Sequence, residues 1–255
     1  MASRRGKDLV CSPSAYRRAA GRCPQPPGRG ADTLHGSCPS YISSWSPAYL
    51  GQFYLGLGAW DEAARLLASA LKMAEQLGWT ALLWYVQSCL AELDVLRERP
   101  DAAVTRLETA RDGPAVDWRS AVMLQTTLAW AYLSQGDVAS ADEVARQAVS
   151  EAARRQHLTQ MVGALRIQGM VLSRQGRREK AEPTFREALD LAHAMPYPYA
   201  EARILVENGI LDTQRGERDS ARKRLEEALA VFQGLGAEKE VERTEQALQG
   251  SIPER

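Results

Sequence analysis

The sequence has few cysteines, no excess of either charge and no long apolar run. Four cysteines in 255 residues are too few for a fold held together by disulfides. The 32 basic and 32 acidic residues give zero net charge, which disfavours a nucleic-acid-binding protein with a uniformly basic surface. No run approaches the roughly eighteen apolar residues of a membrane-spanning helix. The 45% hydrophobic content is instead typical of a soluble protein with a sizeable core.

Common catalytic and nucleotide-binding motifs are also missing. The sequence contains no G-x-x-x-x-G-K-[ST], no G-x-S-x-G and no H-E-x-x-H. The histidines, His35, His157 and His193, are too scattered to suggest a general base or a pair of metal ligands. We therefore predict no catalytic residues, no cofactor and no metal, and an enzyme is the least favoured class of function.

Residues 1–44 differ in composition from the rest of the chain. They carry seven basic and two acidic residues, many Pro, Gly and Ser, and no apolar periodicity. Such a segment cannot bury enough apolar surface to offset its conformational entropy, so we predict a disordered basic leader. An organelle transit peptide and a non-native start joined to a fragment of a longer protein remain alternatives for this segment.

Three of the four cysteines lie in this leader. Cys11, Cys23 and Cys38, near His35, are separated by 11 and 14 intervening residues. Zinc ligands are usually paired at much closer spacing, so we predict free thiols in a reducing cytoplasm. Cys89 lies in an apolar helical run and is predicted to be a small core residue.

One pattern of small residues recurs five times after residue 44. A Gly or Ala is followed 12 residues later by an alanine and 7 residues further by a second alanine. The first alanines are 40, 38, 40 and 40 residues apart. The five triplets are Gly51, Ala63 and Ala70; Ala91, Ala103 and Ala110; Ala129, Ala141 and Ala148; Gly169, Ala181 and Ala188; and Gly209, Ala221 and Ala228.

This spacing predicts five helical hairpins, each made of a helix A and a helix B. The small residue on helix A and the first alanine on helix B allow close backbone approach. The second alanine lies two turns further on the same face and is expected to receive the next helix A. A Gly ends helix A in most copies, where a left-handed conformation is needed. Glu98 replaces that Gly in the second copy, so this turn is the least secure prediction.

The triplet resembles the tetratricopeptide repeat over about residues 44–236. The period is near 40 residues rather than the usual 34 or so, and this elongated form resembles the C-terminal sensor arrays of large bacterial signalling ATPases. Those include maltose-regulator-type transcriptional activators and cyclase-linked regulators. A HEAT-type array also has this period and ranks second. The resemblance implies an all-α, right-handed α-solenoid of five hairpins, with repeats at 44–83, 84–121, 122–161, 162–201 and 202–236.

The two ends of the predicted array differ. Residues 237–249 form an amphipathic pattern expected of a capping helix with a polar outer face, and residues 250–255 are a short tail. The first helix has no comparable cap, so Trp45, Tyr49 and Phe53 are expected to lie on an uncovered helix. We predict that this end is prone to association, partly frayed, or normally covered by a domain outside this sequence.

The resemblance implies a concave binding groove lined by the A helices. Its predicted positions are Trp45, Gln52, Tyr85, Ser88, Glu92, Met123, Thr126, Trp130, Arg166, Met170, Arg174, Arg203 and Gln214. Aromatic residues and Arg are enriched in binding hot spots. We hypothesise an apolar anchor at Trp130 and Tyr85 and an acidic group at the arginines. The alternative is that Trp130 packs between repeats and the arginines are solvated.

We therefore predict a non-catalytic module for protein interaction or ligand sensing, related to a bacterial signalling or transcription regulator. A standalone adaptor is the alternative. The expected partner is a protein or peptide, and a small-molecule effector is a further candidate. Direct nucleic-acid binding by the repeats and membrane insertion are not expected, and the expected location is the cytoplasm. The chaperone-binding clamp of this family needs Asn and Lys at particular groove positions. This sequence lacks them there, so a chaperone partner is disfavoured.

Overall fold

The computed structural model describes residues 41–111 and 118–251, which form eleven helices and no strand. Residues 1–40 of the predicted leader, with Cys11, Cys23 and Cys38, lie outside the described residues. The first helix begins at Tyr41, so the last residues of the predicted leader are helical. None of the helices described is both long and apolar enough to span a bilayer.

The helices follow one another as five antiparallel hairpins and a final single helix, as the repeat pattern predicts. The hairpins are α1 (Tyr41–Leu57) with α2 (Trp60–Leu77), α3 (Thr80–Leu96) with α4 (Pro100–Arg111), α5 (Trp118–Gln135) with α6 (Val138–Arg154), α7 (Leu158–Arg174) with α8 (Arg178–Ala194), and α9 (Pro198–Arg215) with α10 (Arg218–Leu235). The final helix is α11 (Glu238–Ser251).

The seam inside each hairpin lies where the small residues are. All fifteen Gly and Ala positions of the triplets are buried. A Cβ added to Gly51 would lie 2.7 Å from Leu67 Cγ, and one added to Gly169 would lie 2.5 Å from Phe185 Cε1. The bulky residue between the two alanines of helix B therefore occupies the space that glycine leaves on helix A.

The turns between helices A and B share one backbone form. Gly58 ends α1 with φ 83°, and its N–H donates to Leu55 O at 3.2 Å. Glu98 ends α3 in the same left-handed region with φ 58°, and its N–H donates to Val95 O at 3.0 Å. The turn that the sequence left least secure is thus formed like the others, at the steric cost of a side chain at positive φ.

The predicted repeat boundaries at 84, 122, 162 and 202 fall four residues inside an A helix, since these helices start at Thr80, Trp118, Leu158 and Pro198. The physical reason is weak capping. Trp79 and Tyr197 precede two of these helices without a side-chain capping hydrogen bond. The sequence therefore carries little of the Ser, Thr, Asp or Asn signal that would mark those starts.

The last helix covers the apolar end of α10. Val241 and Leu248 pack on the cluster that contains the fully buried Phe232, and Thr244 is also fully buried. This is the packing expected of a capping helix.

The curved array brings its last helices back to its first hairpin. Lys239 of α11 packs on the α1–α2 turn, where a Cβ on Gly58 would lie 2.7 Å from Lys239 Cγ. Lys239 Nζ lies 5.9 Å from the centre of the Trp60 ring. Arg203 of α9 donates to Glu92 of α3 across 111 residues of sequence. The A helices therefore line an inner wall, and side-chain contacts bridge this wall from the last helices to the first two hairpins.

Candidate binding site on the inner wall

The repeat register decides which side chains reach the inner wall. On each A helix the small residue faces helix B. Side chains one residue after it, or three or six residues before it, point in directions about 60–120° around the helix axis from the small residue, which is toward the inner wall. Glu92, Trp130, Thr126, Arg166 and Arg203 occupy such positions. These five line a cavity of about 170 Å³, together with Met123 and Gln52. The structure thus brings together seven of the groove positions that the sequence indicated.

Trp130 lines this cavity, but it is not an open anchor. The Cζ atoms of Arg166 and Arg203 lie 5.2 Å and 4.9 Å from the Trp130 ring centre. Trp130 keeps only 7% of its exposed area. The aromatic ring is already contacted by two guanidinium groups, which gives the hypothesised apolar anchor at this residue little free surface.

Arg166 is buried and the side chain of Arg203 is only 10% exposed, so the alternative of solvated arginines does not describe them. Arg203 Nη1 donates to Glu92 Oε1 at 2.7 Å. Arg166 Nη1 lies 3.8 Å from Glu207 Oε1 and 3.4 Å from Met170 Sδ. Burial, followed by the nearby charge of Arg203, lowers the pKa of Arg166 to about 10. Its cation is therefore the less well compensated of the two.

Carboxylates behind the wall hold a third arginine. Arg243 Nη2 donates to Glu207 Oε1 at 2.6 Å, and Arg243 Nη1 lies 3.6 Å from Glu240 Oε2. Neither Glu207 nor Glu240 lines the 170 Å³ cavity. The wall is thus backed by a buried charge network that links α7, α9 and α11.

Several predicted groove residues lie elsewhere. Met170, Arg174 and Gln214 line a separate cavity of about 70 Å³. Arg174 is exposed, so it does not join the other two arginines. Ser88 is buried and its hydroxyl donates to Trp84 O at 2.9 Å within its own helix.

Tyr85 belongs to an aromatic group at the start of the array. Its ring centre lies 5.4 Å from those of Trp45 and Tyr49, and its hydroxyl donates to Gln52 Oε1. Burial raises the pKa of the Tyr85 hydroxyl. Tyr85 therefore supports the inner wall from behind, and Tyr49 presents the more accessible ring.

A second cavity of about 380 Å³ adjoins the first between the two ends of the array. Its lining includes Tyr49, Phe53, Tyr197 and Leu235, whose exposed fractions are 54%, 60%, 36% and 39%. Tyr197 and Leu235 were missed from the sequence, because Tyr197 precedes α9 and Leu235 is the last residue of α10, where helical periodicity does not mark the direction of a side chain. Of the three aromatic residues expected to be uncovered, Tyr49 and Phe53 are exposed, whereas Trp45 is half-buried against Tyr49 and Tyr85.

A repeated ion pair also escaped the sequence analysis. Asp94 Oδ2 accepts from Arg106 Nε at 3.1 Å, and Asp212 Oδ2 accepts from Arg224 Nη1 at 2.6 Å. The two pairs occupy the same register of the second and fifth hairpins. The sequence signal that could have revealed these pairs is an Asp three residues after the small residue of helix A, followed 12 residues later by an Arg on helix B. These pairs join helices A and B and do not line the inner cavities.

Family models match parts of three hairpins, and solved structures share the fold. Two family models, both described as tetratricopeptide repeat, match residues 50–78 and 164–196, and residues 122–147. Among solved structures, a thermophilic TPR protein of Thermus thermophilus is 21% identical with a TM-score of 0.58. That match covers 81% of this chain and 99% of the other. A comparison with curated proteins finds no match.

Two further structures share the fold. A Signal Transduction ATPase with Numerous Domains from Pyrococcus horikoshii, which has a tetratricopeptide repeat sensor, is 15% identical with a TM-score of 0.55. The match covers 82% of this chain but 32% of that chain. BtubC from P. vanneervenii is 17% identical with a TM-score of 0.51, covering 78% of this chain and 82% of that one.

The chain is therefore an α-solenoid, and the HEAT alternative is not supported. Parts of three of its hairpins match tetratricopeptide-repeat models, and its fold is that of solved tetratricopeptide-repeat structures. This fold is in general a non-catalytic module through which proteins bind other proteins.

Proposed function

We propose that this chain is a non-catalytic interaction module that binds a segment of a partner protein on its inner wall. The main observation that supports this proposal is the position of the exposed apolar side chains. Six large apolar side chains are exposed among the described residues, and four of them line the 380 Å³ cavity. Clustered exposed apolar surface usually marks an interaction site, while single exposed residues do not.

The chemistry of this surface suits a side chain that is apolar and extended. Tyr49, Phe53 and Tyr197 offer aromatic contact area, and Tyr and Trp are enriched in hot spots because they bury much surface at a small entropic cost. Gln52 lies in both cavities and can pair with the backbone of a bound segment.

The test is selection of binding peptides from a displayed random library with the full chain, followed by affinity measurements on variants. Phe53→Ser removes an aromatic side chain from the cavity. Leu50→Ser is the matched control, because Leu50 lies on the same helix with a similar exposure of 49% but does not line the cavity. We expect Phe53→Ser to weaken the selected peptides about tenfold or more and Leu50→Ser to leave their affinity unchanged. Equal affinities for both variants would refute the assignment.

We further propose that the module acts as a sensor of a bacterial signalling protein, with a standalone adaptor as the alternative. The support is the likeness to the repeats of the P. horikoshii ATPase, in which such repeats form a sensor. An in-frame G-x-x-x-x-G-K-[ST] motif upstream of the coding region would favour the sensor. An independent promoter and start site directly before residue 1 would favour the adaptor.

A further inference from the structure

Arg203 carries hydrogen-bond donors that no described side chain accepts. Its side chain is nine-tenths buried, with 10% exposed. Nη1 donates to Glu92, whereas the buried Nε and Nη2 have no hydrogen-bond acceptor within residues 41–111 and 118–251. The Glu240 carboxylate lies 3.8 Å from Nε, beyond hydrogen-bond reach. Buried donors without acceptors are costly, so the site favours a ligand that brings an acceptor.

The charge of the cavity lining indicates which acceptor. The charged residues lining the 170 Å³ cavity are Arg166, Arg203 and Glu92, a net charge of +1. Glu207 and Glu240 lie behind the wall, where they pair with Arg243 and lie 3.8 Å from Arg166 Nη1 and Arg203 Nε, respectively. One negative charge in the cavity would neutralise its lining and would also relieve the unfavourable contact between the two arginines.

The adjoining aromatic cavity indicates what the anion is attached to. The two cavities share Gln52, Glu92, Tyr197, Tyr199 and Arg203 in their linings. A ligand with its anionic group against Arg203 can therefore extend toward the exposed rings of the second cavity. A planar carboxylate matches the fork of a guanidinium group.

We infer that the inner wall binds a monocarboxylate, with its carboxylate against Arg166 and Arg203 and its apolar group among Tyr49, Phe53 and Tyr197. The inference rests on the proposed function for its location and adds the chemical class of the ligand. It moves the apolar anchor from Trp130 and Tyr85 to the rings of the second cavity. The carboxylate belongs either to a free small acid or to an acidic side chain beside an apolar residue.

Calorimetric titration of the full chain with three probes tests this assignment. The probes are 3-phenylpropionate, its uncharged amide, and a capped glutamyl-phenylalanine dipeptide whose one carboxylate is the side chain. We expect saturable binding of at least one carboxylate probe and about tenfold or greater loss with the amide. Binding of the free acid alone indicates a small-molecule source, and binding of the dipeptide alone indicates a protein source. No binding of either carboxylate, or equal binding of the amide, overturns the inference.

Variants locate the probe. Arg203→Met and Arg166→Met are expected to weaken carboxylate binding about tenfold to a hundredfold. Arg203→Lys keeps the charge beside Glu92 but cannot present two parallel donors, and it is expected to weaken binding as well. Arg186→Met is the control, because the Arg186 side chain is 66% exposed on α8 and outside both cavities.

Circular dichroism of each variant shows whether the array is still folded. If Arg203→Met does not fold, Arg203→Lys and Arg166→Met carry the test. Wild-type affinity in these two variants, or an equal loss in Arg186→Met, overturns the inference. A failure of the Phe53→Ser peptide test with carboxylate binding intact contradicts the protein-segment proposal alone.

Discussion

Gly169 on α7 provides the sharpest test of the close contact between paired helices. A Cβ at this position would lie 2.5 Å, 2.7 Å and 2.8 Å from three ring atoms of Phe185. Phe185 is fully buried, so its ring has no solvent to move into. An alanine in place of a mid-helix glycine favours the helix by about 0.5–1 kcal/mol. Overpacking a dense core costs about 1–3 kcal/mol. Contacts below 3.0 Å with a ring that cannot move place this site in the upper half of the overpacking range, so we expect Gly169→Ala to lower the free energy of unfolding by about 1–2.5 kcal/mol.

The control lies on the same helix. A Cβ on Gly163 would meet only Thr126 Cγ2, at an ordinary contact distance of 3.8 Å. Gly163→Ala is thus expected to raise the free energy of unfolding by about 0.5–1 kcal/mol. The two substitutions are chemically identical and differ only in the space that receives the methyl group, so their opposite signs isolate the packing effect.

Urea unfolding followed by far-ultraviolet circular dichroism measures both changes. The midpoint and the slope are compared together, because repeat arrays do not always unfold in a single step. Adding Phe185→Leu to Gly169→Ala recreates the Ala and Leu found at Ala91 and Leu107, and it should restore part of the lost stability. If Gly169→Ala is as stable as the wild type, or Gly163→Ala loses as much, the argument for close packing at the small residues is refuted.

Three further predictions concern single residues. Glu98→Gly should raise the free energy of unfolding by about 1 kcal/mol, because the positive φ then carries no steric cost, and an unchanged urea midpoint would contradict this. Asp212→Asn should lower it by about 1–3 kcal/mol by weakening the buried hydrogen bond from Arg224. Arg222→Gln removes an exposed ion pair with Glu226 and should leave the urea midpoint unchanged. A loss of stability equal to that of Asp212→Asn would contradict the difference expected between buried and exposed pairs. Burial raises the pKa of the Cys89 thiol, so iodoacetamide should modify it only after unfolding, as read by peptide mass mapping.

The architecture could be predicted from sequence because it follows from a local steric requirement. Two helices approach closely only where small side chains recur. The spacing of Gly169, Ala181 and Ala188 therefore indicates directly where the paired helices meet. The register also selected the helix face of the inner wall, since Trp130, Arg166 and Arg203 all reach the 170 Å³ cavity. These features depend on residues within one hairpin and its neighbour.

The contents of the site could not be predicted in the same way. Whether Trp130 is exposed depends on how far Arg166 and Arg203 reach from other hairpins. The approach of α11 to the first hairpin results from small rotations accumulated over five units. Glu98 shows the limit for local structure, because nothing in its side chain indicates the left-handed turn that its neighbours impose. The aromatic cavity was missed because it forms only where the two ends of the array meet, and that approach is not a property of any one hairpin.

The contact of Lys239 with Gly58 and Trp60 restricts how this array can change in length. In an open stack of repeats, duplication of one unit adds surface without disturbing the others. Here an additional forty-residue hairpin would carry Lys239 past the first turn and separate Arg203 from Glu92. Gain or loss of a whole unit between these contacts would therefore separate the residues that line the two inner cavities, and substitution within the existing hairpins is the change that leaves both cavities in place.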